Sequence, residues 1–102
     1  MFRAGTAPIG ADGRTASPGD VEGQTRRCFE IALQALADVG GSAADVLRTR
    51  IVLTDIGVWE AAARVHGECF AEVRPACTFV EVSRFIDPAW LVEVEVDAYI
   101  EP

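Results

Sequence analysis

The chain has 102 residues, room for one domain and one core, and at this size only roughly two-thirds of the unfolded surface is buried on folding, so subunit contacts are a natural source of extra stability. Half of the residues are hydrophobic and the formal net charge is −7, which suggests apolar surface kept for partners and opposes the phosphate neutralisation on which nucleic-acid binding runs. All nine basic residues are Arg, so Schiff-base and phosphate-loop lysine chemistry are excluded.

In chain order, Phe2 to Thr6 reads as the end of a strand that runs into Ala7-Pro8. Its start, Met1 to Gly5, lacks the apolar stretch of a signal peptide, and no later run reaches the roughly 18 apolar residues of a membrane helix. The expected location is therefore the cytoplasm, with no membrane partner. Asp12-Gly13 and Ser17-Pro18-Gly19 offer turns before Asp20, a candidate N-cap. Val21, Thr25, Cys28, Ala32, Leu36 and Val39 follow at helical spacing, which predicts a helix over 20–39 that Gly40-Gly41 ends.

Ser42 and Asp45 can cap a single turn. Val46 to Thr54 alternates, is rich in β-branched residues, and predicts a strand stopped by Asp55 and Gly57. A second helix is predicted from Val58 to Glu72, with Trp59, Ala62, Ala63, His66 and Phe70 on its core stripe, and Arg74-Pro75 breaks it. Two strands, Cys77 to Phe85 and Leu91 to Ile100, are joined by a turn through Asp87-Pro88. The fold class is α+β: a mixed sheet with two helices packed on one face, forming a single domain over 1–102.

The last strand separates two faces. Val92, Val94, Val96, Ala98 and Ile100 alternate with Leu91, Glu93, Glu95, Asp97 and Tyr99, so the first set belongs against the helices. The acidic set belongs either to open solvent or to a face covered by another subunit. The neighbouring strand favours cover, because its set Cys77, Phe79, Glu81 and Ser83 brings Cys and Phe to that face. Arg48 and Arg50 are candidate partners for the acids. Cys28, Cys69, Cys77 and His66 lack zinc-site spacing and read as reduced thiols and a core histidine, so no metal or other cofactor is expected.

Gly19-Asp20-Val21 to Gln24-Thr25, Asp45-Val46 through Leu53-Thr54-Asp55, Arg74-Pro75-Ala76, Val80-Glu81-Val82 and Leu91 to Val96 form an ordered set over nearly the whole chain. In this the sequence resembles the Rid family (YjgF/YER057c/UK114, also described as endoribonuclease L-PSP). The resemblance implies a chorismate-mutase-like fold and a homotrimer whose sheets form a central barrel with three intersubunit clefts. It also implies hydrolysis of enamines and imines such as 2-aminoacrylate, with an Arg gripping the substrate carboxylate and a Glu positioning or activating water.

Carried over by position, the Glu falls on Glu93 and the Arg on Cys77. A thiol offers neither charge nor a bidentate fork, and losing one half of a buried charged pair costs roughly 2–5 kcal/mol. Cys77, Thr78, Phe79, Gly5 and Thr6 are the candidate substrate-binding residues, with Glu93 positioning water. The family's first strand precedes Phe2 to Thr6 and is expected to be missing here.

The expected function is binding of a small metabolite in intersubunit clefts of a homotrimer without Arg-dependent 2-imino acid deamination. If the protein is an enzyme, the expectation is a hydrolase of the enamine/imine deaminase type that carries out a different hydrolysis or deamination. One alternative is an enamine/imine deaminase that uses Arg48 or Arg50 as its cation. Another is a non-catalytic ligand-sensing or partner-binding protein. The ribonuclease label borne by some of the family fits poorly with the charge, and no nucleic-acid partner is expected.

Overall fold

The computed structural model describes residues 2–101, with side chains over 5–101. Four strands and two helices follow in the order β1 (Phe2–Thr6), α1 (Val21–Asp38), β2 (Val46–Leu53), α2 (Trp59–Phe70), β3 (Ala76–Glu81) and β4 (Val92–Ala98). Single 3-10 turns at Ala43–Asp45 and Ile56–Val58 precede β2 and α2. The expected succession of elements is the one observed.

The sheet order is β1-β4-β2-β3. β4 runs antiparallel to both neighbours, whereas β2 and β3 are parallel and α2 makes the crossover between them. One face of the sheet carries both helices. Cys28, Phe29, Ala32 and Leu36 of α1, Ala62, Val65 and Phe70 of α2, and the inward residues of β2 and β4 form a single buried cluster. Phe29 stands edge-on to Phe70 at 5.4 Å between ring centroids, which ties the two helices together.

Several boundaries differ from the sequence reading for local reasons. The strand expected over 77–85 stops at Glu81, because β2, its one neighbour among the described residues, ends at Leu53, the residue opposite Glu81. The N–H of Val82 still reaches the Leu53 carbonyl, at 2.8 Å, and beyond it no strand among the described residues pairs with the chain. α2 stops at Phe70, whose carbonyl accepts the N–H groups of Val73 and Arg74, with Arg74 in the left-handed region at φ 52°. Asp20 stands at the N-cap position of α1 but makes no side-chain cap bond. Trp59, expected in the core, remains 44% exposed and lies edge-on to Phe79 at 5.7 Å.

The buried Gln24 joins α1 to the entrance of β4. Its amide nitrogen donates to the carbonyls of Ala89 (3.0 Å) and Ser17 (3.5 Å), and its carbonyl oxygen accepts from the Leu91 N–H (2.8 Å). The Asp87-Pro88 turn is closed by Asp87 accepting from the Ala89 N–H and by Trp90 N–H bonding the Asp87 carbonyl. Helix α1 thus fixes where the last strand begins.

Candidate functional site

Strict alternation along β4 sends Val92, Val94, Val96 and Ala98 to the helices, and all four are buried. Glu93, Glu95 and Asp97 stand on the outer face, each part-exposed. Pairing across the sheet decides what each acid meets. Arg48 lies opposite Asp97 and Arg50 opposite Glu95, whereas Val52 lies opposite Glu93.

The consequences are visible in the contacts. Arg50 Nη1 lies 3.0 Å from Glu95 Oε1, and Arg48 Nε lies 3.3 Å from Asp97 Oδ2. Glu93 makes no ion pair or side-chain hydrogen bond among the described residues. Burial holds its carboxyl above the ordinary range, and the charge of Glu95 adds to the rise. Gly5 lies against it: a Cβ there would fall 2.5 Å from Glu93 Oε1, so any side chain on β1 at this point would push the carboxylate aside. Thr6 is buried and pairs with Val94.

The other candidates lie elsewhere. Cys77 and Phe79 face the helices, not the acids, and this corrects the expectation that they share the acidic face. The parallel register places Cys77 opposite Thr49 and Phe79 opposite Ile51, both of which point inward. Thr78 is exposed on the outer face, opposite Arg50. Within one chain Glu93 therefore gathers with Gly5, while Cys77 is two strands away on the opposite face.

Burial raises the Cys77 thiol, partly offset by the Thr49 hydroxyl. The charge of Glu93 is not among the influences on Cys77. Glu93 instead acts on Cys28, whose thiol is fully buried and pushed up to about 12, chiefly by desolvation. His66 Nε2 lies 2.8 Å from Thr49 Oγ1, with its ring against Phe29 and Phe70, and burial lowers its pKa. That is the hydrogen-bonded core histidine read from the helical stripe. Among the described residues no group of His, Cys, Asp and Glu is arranged to hold a metal ion, and no helix is long and apolar enough to cross a membrane.

Two features of the site were missed in the sequence. One is the apolar partner of Glu93, Val52, which only the β2–β4 register reveals. The other is the Gln24 bridge, for which the sole signal was a polar residue next to Thr25 on the inner stripe of α1.

A mixed four-stranded sheet, covered by two helices on one face and lined by a partly paired acid row on the other, defines an α+β protein of the YjgF type. The sequence profile described as endoribonuclease L-PSP matches residues 1–100, and the chain belongs to that family, also called YjgF/YER057c/UK114 or Rid. It is similar to an uncharacterized protein of Streptomyces coelicolor, 42% identical over 81 residues, spanning 79% of this chain and 60% of that protein. It is 31% identical to the 3-aminoacrylate deaminase RutC of Acinetobacter baylyi over 98% of this chain and 79% of that one. The crystal structure of a Mycobacterium tuberculosis member of the YjgF/YER057c/UK114 family matches with a TM-score of 0.84 at 40% identity, covering 95% of this chain and 75% of that chain.

Proposed function

We propose that the protein works as a homotrimer that takes a small metabolite into clefts between subunits, where Glu93 positions or activates water, and that it does so without the arginine-dependent deamination of 2-imino acids. The observation that carries this reading is the isolation of Glu93. It is the member of the acid row with no arginine, and its raised proton affinity moves it toward the range useful for proton transfer at neutral pH.

The subunit boundary is part of the proposal. Glu93 and Cys77 of one chain lie on opposite faces of the sheet, so a site containing both positions takes them from different chains. Gly5 and Thr6 then belong to the Glu93 side of the cleft. Cys77, Thr78 and Phe79 belong to the side given by its neighbour. Cys77 supplies no charge there, and the thiol is held in its neutral form.

A second reading, hydrolytic deamination of an enamine or imine acid, is favoured by the likeness to the 3-aminoacrylate deaminase. It requires another cation, and the arginines suggested for that part, Arg48 and Arg50, are both engaged by Asp97 and Glu95. Incubation with 2-aminoacrylate generated in situ separates the two. We expect no acceleration of pyruvate release by the wild type and a measurable acceleration by Cys77→Arg. Clear acceleration by the wild type would overturn the first reading in favour of the second.

A further inference from the structure

We infer that the ligand of the Glu93 site is a small organic cation without a carboxylate, a protonated amine or imine carried on an apolar body. The inference rests on the reading of Glu93 as the working carboxylate and adds the class of molecule it receives.

Three rows of side chains cross the outer face. The first runs Asp97, Arg48, Ala76 and the second Glu95, Arg50, Thr78. Each holds one acid and one arginine in contact, so each is neutral and closed. The third runs Glu93, Val52, Val80, with Gly5 on the far side of the acid. That row carries one uncompensated negative charge, then an apolar floor reaching the edge strand.

A ligand that completes the row must do what Arg48 and Arg50 do in theirs. It brings an N–H-bearing cation to the carboxylate and lays carbon over Val52 and Val80. An anionic group placed here meets Glu93 and Glu95 with no unpaired cation in any of the three rows to offset them. The missing side chain at Gly5 leaves β1 backbone, not carbon, against the carboxylate.

For a protonated imine the chemistry balances without a further reagent. Water attacks the C=N carbon as the π pair moves to nitrogen. Glu93 accepts a proton from that water and returns it to the nitrogen; the C–N bond of the carbinolamine then breaks as an oxygen lone pair forms the C=O bond, and the hydroxyl proton passes to the departing ammonia. The products are a carbonyl compound and an ammonium ion.

The test compares two probes of like size and opposite charge, benzylammonium and benzoate, by calorimetric titration of the assembled protein. Benzylammonium is expected to bind and benzoate not, and Glu93→Gln is expected to weaken benzylammonium roughly ten- to a hundred-fold. Val52→Arg, which supplies the missing cation in register, is expected to abolish benzylammonium binding while sedimentation shows the assembly intact. Benzoate binding as tight as that of benzylammonium would overturn the inference. So would benzylammonium binding unchanged in both variants, or Glu93→Gln dissociating the assembly, which would make Glu93 an interface ion pair. Benzaldimine, generated in situ from benzylamine by a flavin amine oxidase, tests the hydrolytic reading separately. Benzylammonium binding with no acceleration of benzaldehyde release leaves the cation site standing and removes the hydrolysis.

Discussion

The two faces of the sheet are built from the same strands by opposite means. On the helix side, Ile51, Leu53, Val92 and Val94 are wholly buried, and the polar groups there, Thr49 and Gln24, are hydrogen-bonded. On the outer side, charge is matched to charge by register, and the matching stops one row short. The difference teaches that stability is concentrated on one face, so the other is free to carry an acid whose carboxyl is costly to ionise.

The largest test of that contrast is Leu53→Ala. It opens a cavity under both helices and is expected to cost about 2–5 kcal/mol, read from the denaturant midpoint. Gln24→Ala comes next, at about 1–3 kcal/mol, because it removes the partner of the part-buried Leu91 N–H and of the Ala89 carbonyl and hollows the buried site of Gln24 itself. If its cost were no greater than that of a surface change, α1 would not hold the entrance of β4.

Acidity sharpens the comparison further, since the two faces respond in opposite directions. The raised pKa of Glu93 means the folded chain holds that proton more tightly than the unfolded one. Its favourable contribution is complete below the ordinary 4.5 and is lost as pH rises through the folded value. Glu93→Gln should therefore be more stable than wild type at neutral pH, with the gap closing near about pH 4. His66 has a lowered pKa, so its contribution is complete above the ordinary 6.5 and is lost as pH falls through the folded value. His66→Gln should flatten the loss of stability on acidification below that point, followed by thermal melts across the range.

The smallest effect belongs to the paired rows. A double-mutant cycle on Arg50 and Glu95 is expected to give a coupling of about 0.2–1 kcal/mol, since both side chains are more than a third exposed. A coupling several times larger would mean the outer face is covered and dry in solution.

Much of this was legible in the sequence wherever the signal is local. The period-2 pattern of 91–100 separated the acids from the valines, and the 3.6-residue stripe of α1 placed Cys28, Ala32 and Leu36 in the core. What failed depended on which strands pair. The alternation of 77–85 is compatible with either face, and the inward placement of Cys77 follows only from its register with Thr49. The same holds for Glu93: its charge is local information, but its lack of an arginine is a property of the β2–β4 pairing. Trp59 shows the reverse failure, in that helical spacing was right but Trp59 opens the helix, three residues before Ala62, the first residue of α2 to reach the core.

The sheet order also fixes when the protein can be finished. Among the described strands β4 is made last yet occupies an interior position, and β1 pairs with β4. Until β4 leaves the ribosome, β1 lacks its partner among the described strands and the antiparallel edge of β2 is bare. Of the described strand pairs, the parallel β2–β3 pair alone can form in the meantime. Contacts between the two ends of the chain are the slow, non-local kind. Between the emergence of β2 and that of β4 the nascent chain therefore carries an open strand edge, a window in which chaperone engagement or mispairing with another nascent chain competes with closure.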